Sequence, residues 1–271
     1  MVALMDIRRL GWAGLELTSD HTTIVIDLAQ SFGALDPLLA EEPGPLPAPS
    51  RPVDLALVTH LHIDHTDPRA IADALVPGGR VLRPHPGQAA DLDPKAYAAA
   101  LAEAEQGLRE RGVETEALGP WETRTKGPFT VTALPAADGF GDPQVSWLVE
   151  ADGMRILHAG DTTFHGSWWN IATRYGPIEV AAVPINGAVC NFPHRQPPSP
   201  LPAVMDPRQA AAACQILGAR IALPIHYDAI HIPPFYVQVD RPVESFEREC
   251  SDFGVPMTVL APGETLAPSL N

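Results

Sequence analysis

A chain of 271 residues with 45% hydrophobic and 19% charged residues is too apolar for a disordered segment and long enough to bury a sizeable core. Thirty-three acids against 18 Lys and Arg give a formal net charge of −15, so the basic footprint that a nucleic acid or an anionic membrane surface would require is absent. The three cysteines, Cys190, Cys214 and Cys250, lie far apart and build neither a disulfide framework nor a CxxC zinc site.

The first residues carry no cationic segment leading into a long apolar run, and no stretch approaches the roughly 18 apolar residues of a membrane span. A cytoplasmic protein is therefore expected. In chain order, apolar runs of strand type occupy 23–26 and 55–58, and Asp67-Pro68 then caps and starts a helix. An Ala-rich helix is expected over 94–111. Strand-type runs return at 129–132, 145–149, 155–157 and 180–184. Asp206-Pro207 repeats the capping device before a helix that Gly218 closes. A strand at 220–223, a helix over 243–253 and a strand at 257–260 complete the pattern. Proline is abundant, at 30 residues, and clusters at 42–52 and 192–202, where stiff irregular loops are expected. Strands and helices alternate throughout, which predicts a layered α/β fold. A Pro-started helix follows strands on both sides of the Ala-rich helix, as in one domain of two similar halves. No break in composition divides 1–271.

The chemistry concentrates in Val58-Thr59-His60-Leu61-His62-Ile63-Asp64-His65, directly after an apolar run. Three imidazoles and a carboxylate at the end of a buried strand are expensive to bury without partners. In an extended stretch His60 and His62 share a side, while Asp64 and His65 reach a neighbouring position as the chain turns toward Asp67. Two adjacent metal sites fed by one loop follow.

His-Leu-His-Ile-Asp-His resembles the HxHxDH signature of the metallo-β-lactamase superfamily. Leu157-His158-Ala159-Gly160-Asp161-Thr162 resembles its segment whose Asp bridges two metals, and Pro224-Ile225-His226-Tyr227 its late His block. Gly11-Trp12-Ala13-Gly14, with TTIVID after it, resembles its opening strands. The resemblance implies a four-layer αββα sandwich. Its wording is most similar to the branch of L-ascorbate 6-phosphate lactonase and N-acyl-phosphatidylethanolamine phospholipase D. In that branch a His follows the strand before the HAGDT block, whereas this chain has Asp138. The resemblance implies His60, His62, Asp138 and Asp161 around one divalent ion and Asp64, His65, Asp161 and His226 around the other. Zinc is expected first, with manganese or iron as alternatives because the set is rich in carboxylates. An alternative reading leaves the first position weak or empty.

The function expected is a metal-dependent hydrolase acting through an activated water on a small molecule, a lactone, amide or phosphoester, with Asp64 managing the proton. Trp168, Trp169, His194 and His231 are candidate pocket residues. Phe164, Trp168 and Trp169 could equally be core. His158 is either a supporting partner or a satisfied core His, and Cys190 a buried inert thiol. Arg174 or Arg195 could hold one anionic group, and the Pro-rich loops could serve as arms of a homo-oligomer. Two other classes stay open: an iron- or manganese-dependent redox enzyme, and a non-catalytic metal-binding relative.

Overall fold

A computed structural model describes residues 5–38, 46–86, 97–193, 195–227 and 229–266. The first sheet holds β1 (Asp6–Gly11), β2 (Gly14–Ser19), β3 (Thr22–Ile26), β4 (Val53–Leu57), β5 (Leu75–Pro84), β6 (Glu114–Leu118) and β15 (Thr265–Leu266), in the order β15-β1-β2-β3-β4-β5-β6. The second holds β7 (Thr123–Lys126), β8 (Phe129–Pro135), β9 (Val145–Ala151), β10 (Met154–His158), β11 (Val180–Pro184) and β13 (Ile221–Ile225), in the order β13-β11-β10-β9-β8-β7. A small pair, β12 (Val189–Cys190) with β14 (Tyr236–Val237), stands apart from both.

The alternation of apolar side chains along each strand decides the layering. Ile24 and Ile26, Leu55 and Leu57, and Val180 and Ala182 turn inward and share one cluster between the sheets with Val131, Trp147 and Val149. Val25 and Ala56 point the other way, where they pack with Ile71 of α1 (Pro68–Ala74) and Leu108 of α2 (Tyr97–Glu110). Ala181 and Val183 likewise face outward, beneath α3 (Trp168–Tyr175), α4 (Pro207–Leu217) and α5 (Pro242–Phe253). Strands that are apolar on both faces need cover on both, and helix-sheet-sheet-helix is the result. Each fully buried Leu, Ile or Val stabilises it by about 1.5–3 kcal/mol. The expected αββα sandwich is therefore the fold that forms. The first sheet is built from residues before the second, and only β15 returns to it.

The helices start where the capping acids predict. Asp67 accepts from Arg69 N and Ala70 N, Asp206 forms a capping box with Gln209, and Gly218 closes α4 in the left-handed region. The helix expected over 94–111 is seen as α2; residues 94–96 lie outside the described residues, as do 42–45 of the first Pro-rich loop. The strand expected at 257–260 does not form. Met257 makes a single bridge to Ala222, and the chain then turns at Gly263 to lay β15 against β1. Among the described residues no helix is long and apolar enough to cross a membrane.

The topology places the site. β10, β11 and β13 are parallel, and two antiparallel steps through β9 give β8 the same direction, so 138, 161 and 226 all follow strand C-termini on one edge. β4 ends opposite them, tied across by Val145 N–H to Thr59 O at 3.0 Å.

Candidate metal centre

After β4 the chain makes a tight turn in which His65 N and Thr66 N both donate to His62 O, at 3.0 and 2.9 Å. The turn brings His65 back beside His60, with ring centroids 4.2 Å apart. Two groups of ligand-type atoms result: His60, His62 and Asp138 in one, and Asp64, His65, Asp161 and His226 in the other, each set of atoms lying within 4.8 Å of one another. Asp161 stands between them. Its Oδ1 is 2.9 Å from both His65 Nε2 and His226 Nε2, while Oδ2 faces His60 Nε2 at 3.9 Å.

Buried polar atoms are normally hydrogen-bonded. Here His60 Nε2, His65 Nε2, His226 Nε2 and Asp161 Oδ1 are buried without a hydrogen-bond partner among the described residues. Four such orphans converging on one spot fit divalent cations, because imidazole nitrogen and carboxylate oxygen are the donors those ions take.

The orientation of these donors is set by residues that the motif does not contain. Asp27, wholly buried at the end of β3, accepts from Thr59 N at 2.8 Å, Thr59 Oγ1 at 2.7 Å and His65 Nδ1 at 2.7 Å. Thr59 Oγ1 is also 3.0 Å from His60 Nδ1. One carboxylate thus turns the Nε2 atoms of two histidines toward the site. Asp142 Oδ2 lies 3.2 Å from His62 Nε2, which makes Nδ1 that ring's ligand-type atom. Trp12 donates its indole N–H to Asp64 Oδ2 at 3.0 Å, and its ring lies 4.1 Å from that of His226. Trp12 O accepts from His226 N, fixing that residue at a positive φ of 58°. Gly160, at φ 66°, admits the close approach: a Cβ there would sit 2.8 Å from Thr59 Cβ.

Charge sorts the carboxyls. Burial pushes Asp64 and Asp161 up, but the His65 and His226 imidazoles outweigh it and hold both well below the usual carboxylate range. Asp138 goes the other way, since burial raises it more than His62 and the backbone N–H groups of Phe140 and Asp142 lower it. His60 is held neutral by burial and by the neighbouring His62 and His65.

Residues 22–227 match the family model of the β-lactamase superfamily domain. A UPF0173 metal-dependent hydrolase of Thermococcus kodakarensis is 32% identical over 254 residues, covering 91% of this chain and 96% of the relative. The chain belongs to the metallo-β-lactamase superfamily, as one of its metal-dependent hydrolases. Solved structures carry the same fold. A metallo hydrolase of Ignicoccus hospitalis superposes with a TM-score of 0.68 at 21% identity, covering 98% of this chain and 99% of that one. The diiron β-hydroxylase CmlA of Streptomyces venezuelae gives 0.71 at 19% identity, over 97% of this chain and 54% of that one.

Within this metallo-β-lactamase fold the remaining candidates separate. Trp168 is not a pocket residue: it is wholly buried under α4 in the outer core and stacks on His165 at 4.4 Å. Trp169 points to solvent on the same helix, 55% exposed, against Phe164. Exposed His231 lies outside the cleft, whose wall is built by its apolar neighbours Ile230 and Ile232. His194 falls outside the described residues. His158 is a satisfied core residue, with Nε2 2.7 Å from Ala13 O and Nδ1 accepting from Gly160 N. Burial pushes the Cys190 thiol up to about 12, helped by the Asp161, Asp64 and Asp138 carboxylates, which makes it a poor nucleophile. Arg174 lies over Trp121 and Tyr175 rather than in the cleft, whereas Arg195 does line it.

The sequence reading missed Asp27, Asp142 and Trp12. Asp27 ends TTIVID as an acid closing a buried strand, and that was its signal. Trp12 sits in the Gly-rich opening turn, and nothing local marks Asp142.

Proposed function

We propose that this chain hydrolyses a small molecule at a binuclear centre of divalent ions, with His60, His62, Asp138 and Asp161 as one ligand set and Asp64, His65, Asp161 and His226 as the other. The observation that carries the reading is the central Asp161, whose Oδ1 faces the unpartnered Nε2 atoms of His65 and His226 and whose Oδ2 faces that of His60. Ions held there supply Lewis acidity and make a water acidic enough to attack at neutral pH.

The chain's own residues do the rest. Asp64 accepts the proton of the attacking water, its carboxylate kept in place by the Trp12 indole. Asp27 keeps His65 and, through Thr59, His60 in the ligating tautomer. No Ser or Cys nucleophile is needed. Zinc suits the four imidazoles, and the third carboxylate, Asp138, favours the harder manganese and iron. Iron at a carboxylate-rich centre is also what a redox reading requires.

Metal analysis of protein purified with and without air, followed by a panel of lactone, amide and phosphoester substrates, tests the proposal. Two equivalents of metal and turnover that Asp64→Asn lowers by about 10²–10⁴-fold are expected. Wild-type rates in that variant would overturn the role of Asp64. Air-dependent iron chemistry without hydrolysis would replace the hydrolase with the redox enzyme.

A further inference from the structure

Over the ligand groups opens a cleft of about 1040 Å³, large enough for a drug-sized molecule. His62, Asp64 and Asp161 form part of its floor, and its walls are made by Leu35, Ile63, Phe140, Phe192, Ile230 and Phe235. These come from separate loops of the chain, so the apolar lining is not one element's leftover face. The cations around it are already engaged. Arg195 donates to Phe140 O at 3.0 Å, lies 3.5 Å from Asp142 Oδ2 and covers the Phe140 ring. Arg69 is 3.8 Å from Asp73, and Arg111 donates to Gly107 O at 3.0 Å. Glu103 and Glu110 stand on the same rim, so among the described residues no cluster of positive side chains awaits a phosphate.

One polar group on the wall is aimed differently. β11 lies between β10 and β13, the strands that lead to Asp161 and His226, and Asn186 follows β11 by two residues. The Asn186 amide donates to the Tyr236 hydroxyl at 2.8 Å, and Tyr236 lines the cleft together with Asp64 and Asp161. With its oxygen accepting from the amide, the hydroxyl has its own proton to donate into the cleft. Burial keeps that proton on.

We infer that the substrate is an uncharged carbonyl compound with an apolar body, an ester, lactone or amide, whose carbonyl oxygen takes a hydrogen bond from Tyr236 while its body packs on Ile63, Phe140 and Phe235. The inference rests on the hydrolase reading above and narrows its three bond classes to two, since esters and lactones share the acyl-oxygen bond. As charge develops on the carbonyl oxygen the hydrogen bond strengthens, which is where a preorganised donor lowers a barrier most.

The test uses the metal-loaded full chain with p-nitrophenyl acetate, butyrate and octanoate, and with p-nitrophenyl phosphate. Expected is a kcat/KM that rises by up to about fourfold per added methylene, with the phosphate slower than the butyrate. Tyr236→Phe lowers kcat on the butyrate by about 10²-fold at unchanged metal content, with KM raised by no more than about tenfold. Phe235→Ser, at a residue already 47% exposed, flattens the dependence on chain length without touching the hydroxyl. A phosphate turned over faster than the butyrate, no dependence on chain length, or a Tyr236→Phe variant with the parent kcat each overturn the inference. Calorimetric binding of octanamide and acetamide separates the two readings. If neither the esters, the phosphate nor the lactone and amide panel is turned over, the hydrolase reading fails. Octanamide binding more tightly than acetamide, and about tenfold more weakly to Tyr236→Phe, still supports the ligand class. Equal binding of the two amides overturns it.

Discussion

Asp64, His65, Asp161 and His226 arrive from three separate strand ends, yet Asp161 reaches both imidazoles at 2.9 Å. The neighbouring group has three such side chains, two of them only partly buried. Asp138 reaches His60 and His62 from the end of β8, but its Oδ1 already accepts from Phe140 N at 2.7 Å and Asp142 N at 3.2 Å. The imidazoles around Asp64 and Asp161 keep those carboxyls ionised, whereas burial wins at Asp138. A carboxylate at 138 therefore contributes more than a donor atom. It places a third acid in a buried centre where the local positive charge has been spent on the other two.

The largest expected effect breaks both groups together. Asp161→Ala removes the oxygens that face each set, so metal retained after gel filtration falls to background and turnover with it. Asp138→Ala removes one donor from the group of three only, and about half of the metal stays on the protein. Elemental analysis of the two variants side by side decides the point. If Asp138→Ala loses as much metal as Asp161→Ala, the two groups are not held differently.

A smaller effect is expected one layer out. Asp27→Asn leaves every proposed ligand in place but replaces the acceptor that orients His65 directly and His60 through Thr59. Loss of such a supporting carboxylate weakens metal retention by roughly 10–100-fold. Competition with a chelator measures it. Unchanged retention would show that the turn at His62 alone fixes both rings.

Much of this arrangement could be read from the residues, and the limit is physical. The strand at 180–184 and the helix from Pro207 to Gly218 follow from apolar runs and caps that act within a few residues. α3 has no side-chain cap at Ser167, and so it offered no start signal. β5 contains Pro77-Gly78-Gly79, which reads locally as a turn; pairing with β4 breaks across it and resumes at Arg80, beyond which the buried Val81 and Leu82 pair with both β4 and β6. At the site, the HxHxDH spacing announces itself because its four polar groups crowd one loop. Asp142 and Trp12 act across 80 and 52 residues, on His62 and Asp64 respectively, and no local pattern encodes such contacts. Trp168 and Trp169 show the converse. Adjacent residues on a helix point in different directions, so nearness in sequence to Asp161 said nothing of nearness to its carboxylate.

The difference between the two groups also makes opposite predictions for the metal-free protein. Asp64 has a depressed pKa, so its ionised form adds stability above the ordinary carboxylate range, and that stability is lost as pH falls through the folded value. Asp138 has a raised pKa, so its contribution is present at low pH and is lost as pH rises through the folded value. At neutral pH Asp64→Asn should therefore lower Tm, while Asp138→Asn, which keeps an oxygen for the Phe140 and Asp142 amides, should raise it by about 2–4 °C, the shift that ~1 kcal/mol makes in a chain near this size. Acidification then separates them further. The advantage of Asp138→Asn disappears first, because the parent protonates Asp138 at the higher pH, and the deficit of Asp64→Asn persists to lower pH. Thermal unfolding in chelator across this range checks both signs. A destabilised Asp138→Asn at neutral pH would mean that His62 holds Asp138 as firmly as His65 and His226 hold Asp64, and the contrast between the two groups would be lost.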